Sequence, residues 1–229
     1  HKTVDFRIKG IDWDLERTYK IIHDIDSKLL IGNNHHELPF EGEDFQMFEK
    51  DLPGKNTTGF GGADIGQLPL ETCETINQSW GFNLQDDKHK SEQELIRYLV
   101  KAAGNNANFL LNVGPMPNGK VQKEHKDILK AMGAWLAVYG ETIYGTRQGL
   151  GLPDGNIVST RRGTQLYLHV LEEAGNELLI PDFDLKIKKV TFFKDKTPVN
   201  FRLKKRELQI TIPGDKKEAI DTVIEITLK

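Results

Sequence analysis

Between Gln67 and Gly140 short continuous apolar runs alternate with longer helical stripes, and that order restricts the fold more than any other feature. Gln67 to Thr72 is a strand candidate, with the apolar Leu68-Pro-Leu70 leading to Glu71. Ser91-Glu-Gln-Glu94 is a capping box, with Ser at the cap and Glu three residues on. The helix it opens carries Leu95, Ile96, Leu99, Val100 and Ala103 on one face and stops at Gly104. Phe109 to Val113 predicts a second buried strand, running into a Gly/Pro loop. Ile128, Leu129, Met132, Trp135, Leu136 and Tyr139 then stripe a second helix that ends near Gly140. Strand, helix, strand, helix indicates parallel βαβ units and an α/β fold. Such barrels and sheets present their chemistry at the C-terminal ends of the strands.

The flanks extend this pattern and then break it. Asp12 to His23 predicts a helix, with an Asp at its start and Leu15, Tyr19 and Ile22 at helical spacing. Lys28 to Asn33 predicts a buried strand. From Asn34 to Gln67 the chain is rich in Gly, Pro, Asn and acidic residues, an irregular stretch long enough to suggest function. After Gly149-Leu-Gly-Leu-Pro-Asp-Gly155 the texture changes to alternating runs at 165–170, 190–193, 207–212 and 222–228, with no helical signal between them. Those runs predict a small antiparallel β-sandwich, with the domain boundary at about residue 150.

Composition narrows the function. Hydrophobic residues at 38%, charged residues at 28% and a formal net charge of -3 give no electrostatic case for nucleic acid or an anionic membrane. The lysines crowded between Asp182 and Arg206 alternate with apolar residues and fit the solvated faces of strands. One cysteine, Cys73, excludes an internal disulfide and fits a small buried hydrophobe. The sequence contains no signal peptide and no transmembrane run. No His or Cys spacing indicates a metal site.

Several side chains are candidates for chemistry. Glu71 follows Leu68-Pro-Leu70, whose apolar bulk can desolvate a carboxyl at a strand end and raise its pKa toward the range of a general acid. An ion-paired carboxylate at a sheet rim is the plainer alternative, and Glu74 is the neighbouring rival. Asn34, His35 and His36 follow a strand end, where polar donors can hold a hydroxyl-bearing ligand. Adjacent residues of an extended chain point to opposite sides, so at most one His need face a ligand. Trp80 can stack on the apolar face of a ring or serve as packing. Asn112 fits backbone satisfaction. Asn56-Thr-Thr58 and Asn77-Gln-Ser79 match the glycosylation sequon.

Six segments in order carry a family resemblance: Asp12-Trp-Asp-Leu15, Leu30-Ile-Gly-Asn-Asn-His-His36, Glu43-Asp-Phe-Gln46 with Glu49-Lys-Asp-Leu-Pro-Gly54, Leu70-Glu-Thr-Cys-Glu-Thr75 with Ser79-Trp-Gly-Phe82, Ala103 to Pro115, and Tyr139 to Arg147. Together they resemble the retaining α-L-fucosidases of glycoside hydrolase family 29. The resemblance implies a retaining exo-glycosidase that removes terminal α-L-fucose from a glycan substrate without a cofactor. It implies the C-terminal part of a (β/α)8 barrel over residues 1–149 and a β-sandwich over 150–229. It places Glu71 at the acid/base position, and the family suggests a secreted, periplasmic or lysosomal setting.

The family's nucleophile is an Asp in a Trp-Phe-Asp-Gly type motif, which this sequence lacks; His1 resembles the residue just after it. Of the nearby acids, Asp5 has no strand signal, and Asp12 and Asp14 fit a helix start. Retention needs two carboxyl groups about 5 Å apart, so the chain is expected to be a portion that is inactive alone. A different retaining barrel glycosidase, or a non-catalytic carbohydrate-binding or accessory module, are the alternatives; few aromatics at exposed sandwich positions weigh against the module. On an aryl α-L-fucoside the 229-residue chain should show no turnover, while a chain extended upstream through the missing motif should be active. Equal rates for the two would overturn the nucleophile assignment.

Overall fold

The computed structural model describes residues 13–35, 37–58, 62–152, 155–171 and 175–229. The fold is α/β and divides by packing into two compact units, residues 1–75 with 106–112, and residues 76–105 with 113–229. The units do not coincide with a cut at residue 150. Among the described residues no helix is long and apolar enough to cross a membrane.

The first unit holds α1 (Leu15–Ile25), β1 (Gly32–Asn33), β2 (Phe45–Glu49), β3 (Leu70–Thr75) and β4 (Ala107–Asn112). The four strands pair in chain order, all parallel. Helix α1 begins three residues later than the sequence predicts. Asp14 holds the N-cap position in left-handed backbone (φ 43°) rather than the extended backbone of a capping carboxylate. The strand expected over Lys28 to Asn33 shrinks to two residues at the sheet edge, with Leu29 and Leu30 exposed. Strand β2 lies inside the stretch expected to be irregular. Its five residues alternate half-buried and buried, with Gln46 and Phe48 turned in.

The second unit contains α2 (Glu92–Gly104), α3 (Lys123–Tyr139) and strands β5 (Arg147–Gln148), β6 (Ile157–Arg162), β7 (Gln165–Val170), β8 (Glu177–Ile180), β9 (Ile187–Phe192), β10 (Phe201–Lys204), β11 (Glu207–Thr211) and β12 (Thr222–Leu228). Helix α2 begins as its sequence dictates. The Glu94 N–H donates to the Ser91 hydroxyl at 3.2 Å, and the Glu94 carboxylate accepts the Ser91 N–H at 2.8 Å. Leu95, Ile96 and Val100 form its buried stripe. The strands make a five-stranded antiparallel sheet, β5-β6-β7-β12-β9, and a three-stranded one, β10-β11-β8. Leu166, Leu168, Ile224 and Ile226 of the larger sheet share one apolar core with Leu178, Ile180, Leu208 and Ile210 of the smaller. Full burial of each such side chain stabilises by roughly 1.5–3 kcal/mol.

Helix α2 packs on this β-structure through its final residue. A Cβ added at Gly104 would lie 2.1 Å from Val158 Cγ1, and Val158 is buried. Arg97 ties the same helix to the carbonyls of Ile220 and Ala219, each at 3.0 Å. Gly104→Ala should therefore destabilise by about 1–2 kcal/mol, the upper part of the typical overpacking cost of about 1–3 kcal/mol less a gain of ~1 kcal/mol in helix propensity. Gly133, inside α3, has nothing within 4 Å of an added Cβ. Gly133→Ala should stabilise by about 0.5–1 kcal/mol. Urea midpoints at unchanged m report both signs, and a rise for Gly104→Ala would refute the packing argument.

Candidate active site

Register decides which side chains of the first unit can act together. Met47, Glu71 and Asn108 align across β2, β3 and β4, as do Glu49, Cys73 and Leu110, so these residues stand on one face of the sheet. Glu49 is the last residue of β2, and Asn34 follows the last residue of β1. Asn34 Nδ2 donates to Glu49 Oε2. The C-terminal residues of β3 and β4 pair in the same sense, with Asn112 Nδ2 donating to Thr75 Oγ1 at 3.1 Å. The C-terminal strand ends therefore carry Asn34, Glu49, Thr75 and Asn112.

Glu71, expected to end its strand, is the second residue of β3. Leu68 and Pro69 precede the ladder rather than forming it. Pro69 has no N–H to contribute, and its carbonyl accepts the Gln46 N–H at 2.8 Å. The Glu71 carboxylate is half-buried and accepts from Asn108 Nδ2 at 2.7 Å. Glu74, an odd number of residues on, turns to the opposite face, where it is buried and accepts the Thr75 N–H at 2.8 Å.

His35 is fully buried. Its Nε2 lies 3.0 and 3.1 Å from the two oxygens of Glu43, and its Nδ1 accepts the Glu37 N–H at 3.0 Å. The second bond requires an unprotonated Nδ1, so Nε2 carries the proton and donates to Glu43. Phe40 stacks on the ring at 4.3 Å between centroids. No ring nitrogen of His35 is left for a sugar hydroxyl, a correction to the expectation for this residue. His36, the other half of the pair, lies outside the described residues, as do Asp5 and Asp12. Trp80 is half-buried in the second unit, in the segment after β3.

The remaining candidates resolve locally. Cys73 is buried, and burial, with the charges of Glu49, Glu71 and Glu74, pushes its thiol up to about 11. Asp51, beyond β2, is buried, which alone would raise its pKa. Bonds from Thr57 and Thr58 outweigh that and hold it below the usual carboxylate range. Of the two sequons, Asn77 is buried and Asn56 is exposed. Among the described residues no three His, Cys, Asp or Glu side chains gather to hold a metal. In the sequence Glu49 stands inside the stretch from Glu43 to Gly54 with no motif of its own. The signal for it is the alternation Phe45-Gln-Met-Phe-Glu49, which makes a strand that ends on a carboxylate.

A parallel sheet that gathers a carboxylate and amide side chains at its C-terminal strand ends has the layout of an α/β enzyme. Residues 4–141 match the family model described as Alpha-L-fucosidase. The chain belongs to the α-L-fucosidase family. Tissue alpha-L-fucosidase of Bos taurus is 29% identical over 167 residues, 69% of this chain and 36% of that protein. Plasma alpha-L-fucosidase of Homo sapiens is 35% identical over 79 residues, 33% of this chain and 17% of that protein. Alpha-L-fucosidase isoenzyme 1 from Paenibacillus thiaminolyticus is similar with a TM-score of 0.78 and 28% identity, over 95% of this chain and 54% of that one. A Thermotoga maritima alpha-fucosidase in complex with fucose is similar with a TM-score of 0.72 and 25% identity, over 93% of this chain and 48% of that one. The chain spans about half the length of these solved enzymes and about a third or less of these curated relatives.

Cys73 supplies a direct test of this face. With a pKa of about 11, only about a thousandth of the thiol is ionised at pH 8. The native chain should react with an aromatic disulfide reagent at least about a hundredfold more slowly than in urea. Equal rates would mean that β3 does not bury Cys73.

Proposed function

We propose that this chain is the later part of a retaining α-L-fucosidase that releases terminal α-L-fucose from fucosylated glycans, without a cofactor. Residues 1–149 are the later strands and helices of a (β/α)8 barrel, and residues 150–229 its C-terminal β-sandwich. The strictly parallel, sequential order of β1 to β4 supports the barrel. The apolar core common to the two antiparallel sheets supports the sandwich. A secreted, periplasmic or lysosomal setting fits this reading.

The observation that carries the proposal is the position of Glu49. It ends β2, bonds Asn34 and belongs to a chain matched to fucosidases over most of its first 141 residues. Glu49 acts as the general acid/base: it protonates the departing glycosidic oxygen and then removes a proton from the attacking water. Asn34 orients its carboxylate. Glu71 is the second reading, favoured by the sequence position of Leu70-Glu-Thr-Cys73, but it stands toward the N-terminal end of its strand. His36 and Trp80 are proposed sugar contacts on the resemblance alone.

Mutants of the upstream-extended enzyme separate the two carboxylates. Glu49→Ala should slow fucosides with poor leaving groups by about 10²–10⁴-fold, and aryl fucosides with good leaving groups far less. A good leaving group departs without a proton, so azide should rescue the second step by replacing the activated water. Glu71→Ala should show neither behaviour. If the two mutants exchange behaviours, Glu71 is the acid/base; if neither shows them, the proposed assignment fails.

A further inference from the structure

The second unit contains a cavity built from none of the residues of the Glu49 face. Segment 76–90 closes on itself. Lys90 N–H donates to the Ile76 carbonyl at 2.7 Å, and Lys90 Nζ to the Asn77 carbonyl at 3.3 Å. Inside the loop the buried Asp86 carboxylate accepts the Ser79 N–H at 2.6 Å. Segment 113–122 is pressed against it, because a Cβ on Gly114 would lie 2.6 Å from Gly81 C and 2.7 Å from Phe82 N. These contacts fix the backbone on which Phe82 and its neighbours stand.

The cavity bounded by these segments and the start of α3 measures about 370 Å³, within the ~300–1,000 Å³ range of small-molecule sites. Its lining is divided. Phe82, Leu84 and Met116 offer apolar surface, while Asp87, His89 and Glu124 offer hydrogen-bonding groups. Leu84 is 88% exposed, an unusual position for a leucine in a loop so tightly bonded. His125, fully buried, meets the His89 ring edge-on at 5.2 Å and backs that side of the cavity. Neither ring nitrogen of His125 has a partner among the described residues.

Charge selects the class of ligand. Asp86, Asp87 and Glu124 line the cavity against one cation, Lys123, whose ammonium is paired with Asp127. An anionic ligand is repelled. A neutral sugar ring matches both halves, its C–H face on an aromatic and its hydroxyls donating to carboxylates. We propose that this cavity is a saccharide site, in which a neutral pyranose lies on Phe82 and donates hydroxyls to Asp87 and Glu124.

The test is a chemical-shift titration of the ¹⁵N-labelled 229-residue chain with lactose, a neutral disaccharide that contains no fucose. Shifts should localise to residues 82–89 and 122–124 with a Kd of about 1 mM. Phe82→Ala and Asp87→Asn should each weaken binding about tenfold or more, equivalent to a loss of about 1.4 kcal/mol. Glu49→Gln should leave it unchanged. Two substitutions of different kind keep the test decisive if one unfolds the loop, which spectral dispersion reveals. Absence of shifts at these residues, or undiminished binding by both variants, overturns the proposal. Shifts at the same residues with putrescine but not with lactose reassign the cavity to cations and also overturn it. The probe carries no fucose and the readout is not turnover, so failure of the catalytic assignment leaves this result standing, and the reverse holds.

Discussion

A single buried carboxylate, Glu43, organises the start of the parallel sheet. Its side chain accepts hydrogen bonds from His35, from the Tyr19 hydroxyl at 3.1 Å and from the Phe40 N–H at 3.0 Å. A carboxylate removed from water is costly unless its lone pairs are met, and the interaction is strong only with all donors in place. Because those donors come from α1, the turn after β1 and the approach to β2, satisfying one group fixes three segments. Asp44, the next residue, works outward: it accepts the Ile31 N–H at 2.8 Å and lies 3.0 Å from His23 Nε2. Its pKa is lowered, first by the Ile31 bond, against the opposing effect of burial, with His23 adding to the lowering. Two consecutive acids thus hold the chain on either side of β1, and Asn34 emerges where it can reach Glu49.

The sheet then sorts the acids by parity. Residues at even spacing share a face, so Glu71 and Cys73 stand with Glu49, and Glu74 cannot. Height along the strand is a second coordinate. Glu49 ends β2 whereas Glu71 sits near the beginning of β3. Parity alone leaves two carboxylates on the face, and height separates them. Cys73 stands in register between Glu49 and Leu110 and is itself buried, and that burial is the first cause of its raised pKa.

Elements with local instructions were legible in the sequence, and those with tertiary instructions were not. Helix α2 announces its start through Ser91 and Glu94 and its stop through Gly104, and the structure follows both. Strands β7, β11 and β12 alternate clearly and lie where the pattern puts them. Strand β10, Phe201-Arg-Leu-Lys204, alternates over only four residues and is exposed at every position on a sheet edge, too short a run to announce itself. Strand β6 buries Ser159 and Thr160, which reads as a polar loop. Their hydroxyls are met by the carbonyls of Leu150 and Thr142, partners that only the fold supplies. His35 and His36 could not be told apart for the same reason, since Glu43 makes no motif with its histidine. Glu71 was misplaced along its strand because Leu-Pro-Leu resembles strand interior, while proline holds the ladder back to Leu70.

Thr142, Thr160, His169 and Asp221, all buried in the second unit, form a seam, and that has a structural consequence. His169 Nδ1 lies 2.7 Å from Asp221, and His169 Nε2 lies 3.3 Å from the Thr160 hydroxyl, which donates to the Thr142 carbonyl just beyond α3. Tyr139, on the last turn of α3, donates its hydroxyl to Glu218 at 2.7 Å. Burial and then this carboxylate push its pKa well above the ordinary tyrosine value. Apolar surfaces slide over one another at little cost, since the hydrophobic effect has no direction. Buried hydrogen bonds lose 1–3 kcal/mol or so for each group left unmatched. The apolar core common to the two antiparallel sheets therefore supplies most of the drive to pack, and the seam from Thr142 to Asp221 dictates one register between α3 and the five-stranded sheet.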